Sequence, residues 1–497
     1  MNYNSTRNSK VFVSSADAIA KGISEDGGLF VPESIPSLSA DDFAALGEMD
    51  YIDAAVFVLK KYLTDYTEEE LFDCAEGAYS GTFEYEEPAP LAELCPGVFM
   101  LELWHGPTCA FKDLALQILP FLLTKASQKT AKGETKVILV ATSGDTGKAA
   151  LEGFADVEGV KILVFYPNDG VSPMQKLQMI TQSGDNVGVC AIKGNFDDAQ
   201  SGVKQIFTDK AIAAKLKEHN MSFSSANSIN WGRLVPQIVY YVYSYATLLH
   251  NGDLAKDDGF NVVVPTGNFG NILAAYYAKK MGVPIKKLIC ASNKNNILTD
   301  FIKTGVYDRN RKFYTTLSPS MDILISSNLE RLLYDLSGKD DEVVSNLMKQ
   351  LSEEGKYTVS DDMKQKISEL FYAGCADDEL TKAEIKKQFE QNDYLADPHT
   401  AVALSVYDDY VKQTGDDTLT VIASTASPFK FSHGVYEALT GECSGESEFE
   451  LIEKLAEKTN CEVPAPLASL KDKKPRFNDC CEKTQMEKVV FDMLGIK

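Results

Sequence analysis

Four times between residues 136 and 283 the chain repeats one scheme: a β-branched or aliphatic run, a turn, then an Ala-rich or amphipathic segment. KVILVATSGDTGKAALEGFA, VKILVFYPNDGVSPMQKLQMI, GVCAIKGNFDDAQSGVKQIF and FNVVVPTGNFGNILAAYYAKKMGV all follow it, and another apolar run, KKLICASN, comes next. Strands separated by helices cannot close hairpins, so each crosses over and returns parallel to the last. The scheme therefore predicts an α/β fold, with parallel sheet covered by helices.

The chain has 497 residues, room for about two to four domains. Its 49 basic and 72 acidic residues leave a formal charge of -23, which argues against nucleic acid as a partner. An anionic ligand would need a local cluster of donors, because the overall field repels it. No apolar run has the roughly 18 residues of a membrane span. Leu234 to Leu249 comes closest, and Pro236, Gln237 and Ser244 within it indicate a buried helix. MNYNSTRNSK is not followed by the apolar region of a signal peptide. The 10 cysteines show neither a CxxC pair nor a repeated Cys/His spacing, so no metal site is expected. Reduced cysteines and a cytoplasmic location follow as expectations. Residues 330 to 392, rich in Asp, Glu and Lys at helical spacing, predict a helical insertion, and the last fifty residues predict a surface extension.

Four short stretches carry candidate chemistry. TGNFGN (266–271) joins an apparent strand to a helix through two glycines, either as an anion cradle of backbone amides or as an ordinary tight turn. It matches neither GxGxxG nor the P-loop. SGDTGKAA is too short for a P-loop, and Ala149 replaces its magnesium-binding hydroxyl, but its hydroxyls and amides suit a carboxylate or phosphate. NSINWGR (227–233) places Arg233 six residues after Asn227, as an anion fork or as one half of a surface ion pair. In HGPTCAFKDLALQ, Lys112 precedes an apolar run, where a lysine either snorkels to solvent or is used for its amine.

Together these stretches resemble the threonine synthases, pyridoxal-phosphate enzymes of fold type II. The likeness runs along nearly the whole chain: STRNSKVFVSSADAIAKGISEDGGLFVPESIP, LELWHGPTCAFKD, ATSGDTG, GNFDDAQSGVKQIF, NSINWGR, PTGNFGN, DPHTAVA and STASPFKF. The resemblance implies two open, twisted, mostly parallel sheets with flanking helices and the cofactor between them. It implies an N-terminal region (1–95), a large cofactor-binding domain (96–135 and 236–440), a small α/β domain (136–235) and a C-terminal extension (441–497).

By the same resemblance, Lys112 bonds the aldehyde of pyridoxal 5'-phosphate and later moves protons. Gly267, Asn268, Phe269, Gly270 and Asn271 form the cofactor's phosphate cup, and Thr425 meets its ring nitrogen. Ser143, Asp145 and Thr146 lie near the ring and the substrate's carboxylate, with Asp145 expected to share a proton with a phenolic oxygen. Asn227, Ser228 and Arg233 hold the substrate's phosphate. The implied activity is that of a lyase converting O-phospho-L-homoserine and water to L-threonine and phosphate, the last step of threonine biosynthesis, in a monomer or homodimer. A dehydratase or phospholyase on the same scaffold, or a non-catalytic homologue, is the alternative. One position departs: many family members read TAHPxKF where this chain has TASPFKF, so Ser427 replaces a histidine while Thr425 and Lys430 stay. Cys109 fills the variable position of HGPTxAF.

Overall fold

The protein is described here from a computed structural model covering residues 1–130, 133–142, 144–168, 171–256, 258–442 and 445–496. Its α/β architecture rests on two sheets. The larger has six strands in the spatial order Phe371–Cys375, Ile285–Ser292, Phe260–Pro265, Thr420–Ser424, Val98–Glu102 and Leu91–Cys95. Only the last pairing is antiparallel. The smaller sheet is parallel throughout, in the order Cys480–Glu482, Val187–Lys193, Val160–Pro167, Thr135–Ala141 and Met221–Ser224. The four repeated units give the strand–helix pairs the periodicity predicts, one in the larger sheet and three in the smaller.

Local chemistry starts the helices where the turns end. Ser172 caps Pro173–Ile180 in a capping box with Gln175, with Pro173 in the first turn where its missing N–H costs nothing. Asp397 caps Pro398–Thr414 by accepting from the His399 and Thr400 amides. The apolar stretch around Leu234 lies in helix Trp231–Asn251, almost wholly buried. Trp231 at its start meets Tyr3, Tyr62 and Tyr277 edge-on, at 5.4, 5.6 and 5.7 Å between ring centroids. No described helix is long and apolar enough to cross a membrane.

Two segments do more than their composition suggests. Within 330–392, four helices alternate with strands Lys356–Thr358 and Phe371–Cys375, and the second strand is the edge of the larger sheet. In the C-terminal extension, Cys480–Glu482 pairs in parallel with Val187–Lys193. Cys481, Met486, Val490 and Leu494 then bury themselves against Val137, Leu163 and Cys190. At about 1.5–3 kcal/mol per buried aliphatic side chain, this extension is part of the smaller sheet's core.

The N-terminal segment braces the site from outside. Thr6 Oγ1 donates to Glu330 at 2.6 Å, and Arg7 holds the same carboxylate through two bonds at 2.8 and 2.7 Å. The neighbouring Arg331 donates to the Phe30 and Ile229 carbonyls at 3.0 and 2.6 Å. Helix Leu329–Leu336 thus ties the N-terminus to the NSINWGR loop.

Candidate active site

Lys112 is placed by backbone pairing. Ala110 bridges Ala426, and the Phe111 N–H donates to the Thr425 carbonyl at 2.9 Å, so HGPTCAFKD is clamped to the loop after strand Thr420–Ser424. The side chain is only 8% exposed, which excludes snorkelling. Its Nζ donates to Ser320 Oγ at 3.4 Å, lies 3.6 Å from Asp145 Oδ2 and sits 4.7 Å from the centre of the Phe111 ring. Burial lowers the amine's pKa. Asp145 works against that shift and Lys430 and Arg233 work with it, and the net movement is downward, toward the neutral form a nucleophile or base requires.

Asp145 opens helix Asp145–Phe154 at the end of a small-sheet strand, and Lys430 follows a large-sheet strand. They meet at 2.8 Å, and Gln175 and Ser320 also donate to the carboxylate, at 3.1 and 2.9 Å. Burial opposes the carboxylate's charge, but Lys430 and Lys112 outweigh it and hold Asp145 well below the usual carboxylate range. Asp145 is thus paired with Lys430, which reaches it from the other sheet. Ser427, the departure from the family pattern, is fully buried. Its hydroxyl accepts from the Phe429 N–H at 3.3 Å, and its carbonyl from the Lys430 N–H at 3.1 Å. A serine here caps the turn that carries Lys430.

Asp113 points away from Lys112, accepting from the Thr108 N–H and Oγ–H at 2.8 and 2.6 Å. Burial raises its carboxyl from the ordinary 3.8 to about 6. Between those values the folded protein keeps a proton that the unfolded chain has lost, so this group's contribution to stability falls as pH rises from about 4 to 6. Asparagine is accommodated, since the Thr108 hydroxyl can turn to accept from its amide. Asp113→Asn should therefore flatten that part of the urea-stability curve, by about 3 kcal/mol across the window.

The TGNFGN turn is built rather than ordinary. Phe269 holds φ 63°, in the left-handed region, as it starts helix Gly270–Met281. A Cβ on Gly267 would lie 2.7 Å from the Ser320 carbonyl oxygen, so only glycine fits that approach. The Gly267 carbonyl accepts from Ser326 Oγ at 2.8 Å, and the Asn268 carbonyl from the Asn328 N–H at 3.0 Å. Tyr241 donates to the Asn271 side-chain oxygen, while Asn271 Nδ2 is buried without a partner among the described residues.

Arg233 is 3% exposed, and among the described residues no carboxylate pairs with it. One Nη donates to the Ala226 carbonyl at 2.6 Å, and Nε has no partner. Burial lowers its pKa to about 10, still cationic near neutrality. A desolvated cation without a counter-ion is costly, and it selects for an arriving anion. Ser228 Oγ lies 3.4 Å from Ser327 Oγ, which in turn donates to Asn268 at 3.5 Å, so the NSINWGR loop and the glycine turn face one another. Asn227 is half-buried, its N–H donating to Ser225 Oγ at 3.1 Å. Thr146 is half-buried in the first turn of its helix. Ser143 lies outside the described residues.

Two contributors carry no motif that singles them out, Ser320 and the partnership of Lys430 with Asp145, and His399 is given no role by the family resemblance. The His399 signal lay in DPHTAVA, where Asp397 accepts from both its N–H and its ring at 2.9 and 2.8 Å. Ser320 belongs to an irregular stretch without periodicity.

The residues present fit a phosphate-bearing aldehyde cofactor: a buried amine, a glycine turn opening a helix, and an unpartnered Asn271 amide beside it. Three family profiles cover the chain: "Threonine synthase N terminus" over residues 2–79, "Pyridoxal-phosphate dependent enzyme" over 84–360 and "Threonine synthase, C-terminal" over 400–490. Fold and site thus define a pyridoxal-phosphate-dependent enzyme of fold type II. The chain is 39% identical over 467 residues to the threonine synthase of Saccharomyces cerevisiae, covering 88% of this chain and 89% of that one. It superposes on the crystal structure of PLP-bound threonine synthase from Brucella melitensis with a TM-score of 0.87 at 35% identity, over 99% of each chain. It is also 41% identical over 435 residues to threonine synthase-like 1 of Macaca fascicularis, where the match takes in 85% of this chain and spans 58% of the relative's length. The chain belongs to the threonine synthase family.

Proposed function

We propose that this protein converts O-phospho-L-homoserine and water to L-threonine and phosphate. The observation that carries the reading is Arg233, a buried guanidinium with no carboxylate partner among the described residues. A phosphorylated amino acid offers both the dianion that Arg233 lacks and a carbon acid for the amine.

In this reading Gly267, Asn268, Phe269, Gly270 and Asn271 would hold the cofactor's phosphate, Lys112 would bond its aldehyde, and Thr425 would meet its ring nitrogen. Bound pyridoxal phosphate supplies a conjugated ring that spreads negative charge developing on the substrate's carbons. A neutral threonine hydroxyl favours the unprotonated ring nitrogen, which suits elimination and replacement over transamination. Asp145 would stay anionic through Lys430 and, with Thr146, face the ring and the substrate's carboxylate, and Ser143 is assigned to the same group by the family resemblance alone. Asn227, Ser228 and Arg233 grip the substrate's phosphate, and Arg233 retains it as the Cγ–O bond breaks and its charge grows. The Lys112 amine would take the Cα proton and serve the later transfers at Cβ and Cγ before water adds at Cβ. We place the reaction in the cytoplasm.

Purified protein loaded with cofactor and given O-phospho-L-homoserine should release phosphate and threonine in equal amounts. Release of 2-oxobutyrate in place of threonine would identify a dehydratase or phospholyase and overturn the assignment.

A further inference from the structure

The segment from 314 to 328 reaches the site without any of the recognisable motifs. It is strapped to the loop after strand Ile285–Ser292. Asn293 Nδ2 donates to Asp322 at 2.7 Å and to Ser318 Oγ at 3.0 Å, and Asp322 accepts from the Thr316 N–H at 3.0 Å. At its centre Ser320 makes four contacts with the site. Its carbonyl closes on Gly267, and its N–H donates to His399 Nε2 at 3.2 Å. That bond leaves His399 Nδ1 to donate to Asp397 at 2.8 Å, which fixes the ring. Its hydroxyl donates to Asp145 Oδ2 at 2.9 Å and accepts from Lys112 at 3.4 Å.

The hydroxyl occupies the carboxylate oxygen that Lys112 would otherwise take. Lys112 stands 3.6 Å from that oxygen, whereas a direct ammonium–carboxylate bond closes to about 2.8 Å. We propose that Ser320 is a positioning residue that holds the Lys112 amine out of a direct ion pair with Asp145, so that the amine remains available as nucleophile and base. The inference deepens the reading above and rests on Lys112 being the working amine. The charged groups facing Lys112 are Asp145 at the head of its helix, Lys430 on the turn after Thr420–Ser424, and Arg233 from helix Trp231–Asn251. His399 lies behind Ser320, its ring accepting from the Ser320 N–H. Of these, Asp145 alone favours the charged amine, so the spacing between them sets its availability.

The test titrates the amine directly. Full-length protein stripped of cofactor is labelled with trace acetic anhydride across pH 6 to 11, and acetylation of Lys112 is read by peptide mass spectrometry. Ser320→Ala and Ser320→Cys should move the midpoint upward by about one pH unit, a tenfold loss of free amine near neutrality. Ser320→Thr, which keeps the hydroxyl, should leave it in place. The rate at which stripped protein captures pyridoxal phosphate, followed by absorbance, should shift in parallel. A wild-type midpoint in either folded variant lacking the hydroxyl, or the same upward shift in Ser320→Thr, overturns the proposal. Because labelling needs no substrate, failure to make threonine would strike the functional reading and leave this result intact.

Discussion

Lys112→Ala should leave a folded protein that neither attaches pyridoxal phosphate nor releases phosphate from O-phosphohomoserine. The physical case is one of small structural loss against total chemical loss. Lys112 precedes helix Asp113–Leu116 without capping it through its side chain. Its contact with the Phe111 ring is worth about 0.5–1 kcal/mol, and a buried ammonium returns part of that when removed. Asp145 keeps its bond to Lys430, so the two sheets stay joined. The missing amine, however, is the only lysine nitrogen bonded to Ser320 among the described residues, and no other group takes its place. Turnover should fall by at least about 10³-fold, and borohydride should no longer fix cofactor to the protein. Lys112→Arg keeps the charge beside Asp145 but cannot add to an aldehyde, and should be equally inactive. Ordinary turnover by either variant would show that the working amine is elsewhere.

What was readable in the sequence was whatever follows from local periodicity. Strand Phe260–Pro265 and helix Gly270–Met281 announce TGNFGN because an apolar run, two glycines and an alanine-rich segment occur in order, and the same holds for SGDTG. Without the family resemblance, Lys112 and Arg233 stay ambiguous for a physical reason. A lysine or arginine next to apolar residues looks the same whether solvent or another segment covers it. Covering is decided by elements far along the chain, here Ser320 and the turn bearing Lys430. The Asp145–Lys430 pair joins positions on different sheets, and no local pattern encodes it. Strand Cys480–Glu482 escaped for a related reason: three residues show no period, and a parallel edge partner is chosen by the sheet it joins. Residues 316–322 escaped because their order comes from Asn293 and Asp322 rather than from backbone repeats.

Arg233→Met should separate activity from stability in opposite directions. If Arg233 braced the fold, its loss would destabilise the protein, as breaking a buried ion pair does by about 3–5 kcal/mol. Among the described residues its side chain bonds only the Ala226 carbonyl, with Nε unpartnered and no carboxylate at hand. Methionine removes a desolvated charge and leaves one carbonyl to find water or another donor, so the unfolding midpoint in urea should stay level or rise. Catalysis should move the other way. Two charge-assisted bonds to a phosphate are worth about 3–6 kcal/mol together, which lowers kcat/KM for O-phosphohomoserine by about 10²- to 10⁴-fold. Inorganic phosphate provides the control that needs no chemistry. At a hundred times its dissociation constant it should stabilise the wild-type protein by about 2.7 kcal/mol and the variant hardly at all. A variant that is clearly less stable, yet gains as much from phosphate as the wild type, would make Arg233 a structural residue and move the substrate's anion site elsewhere.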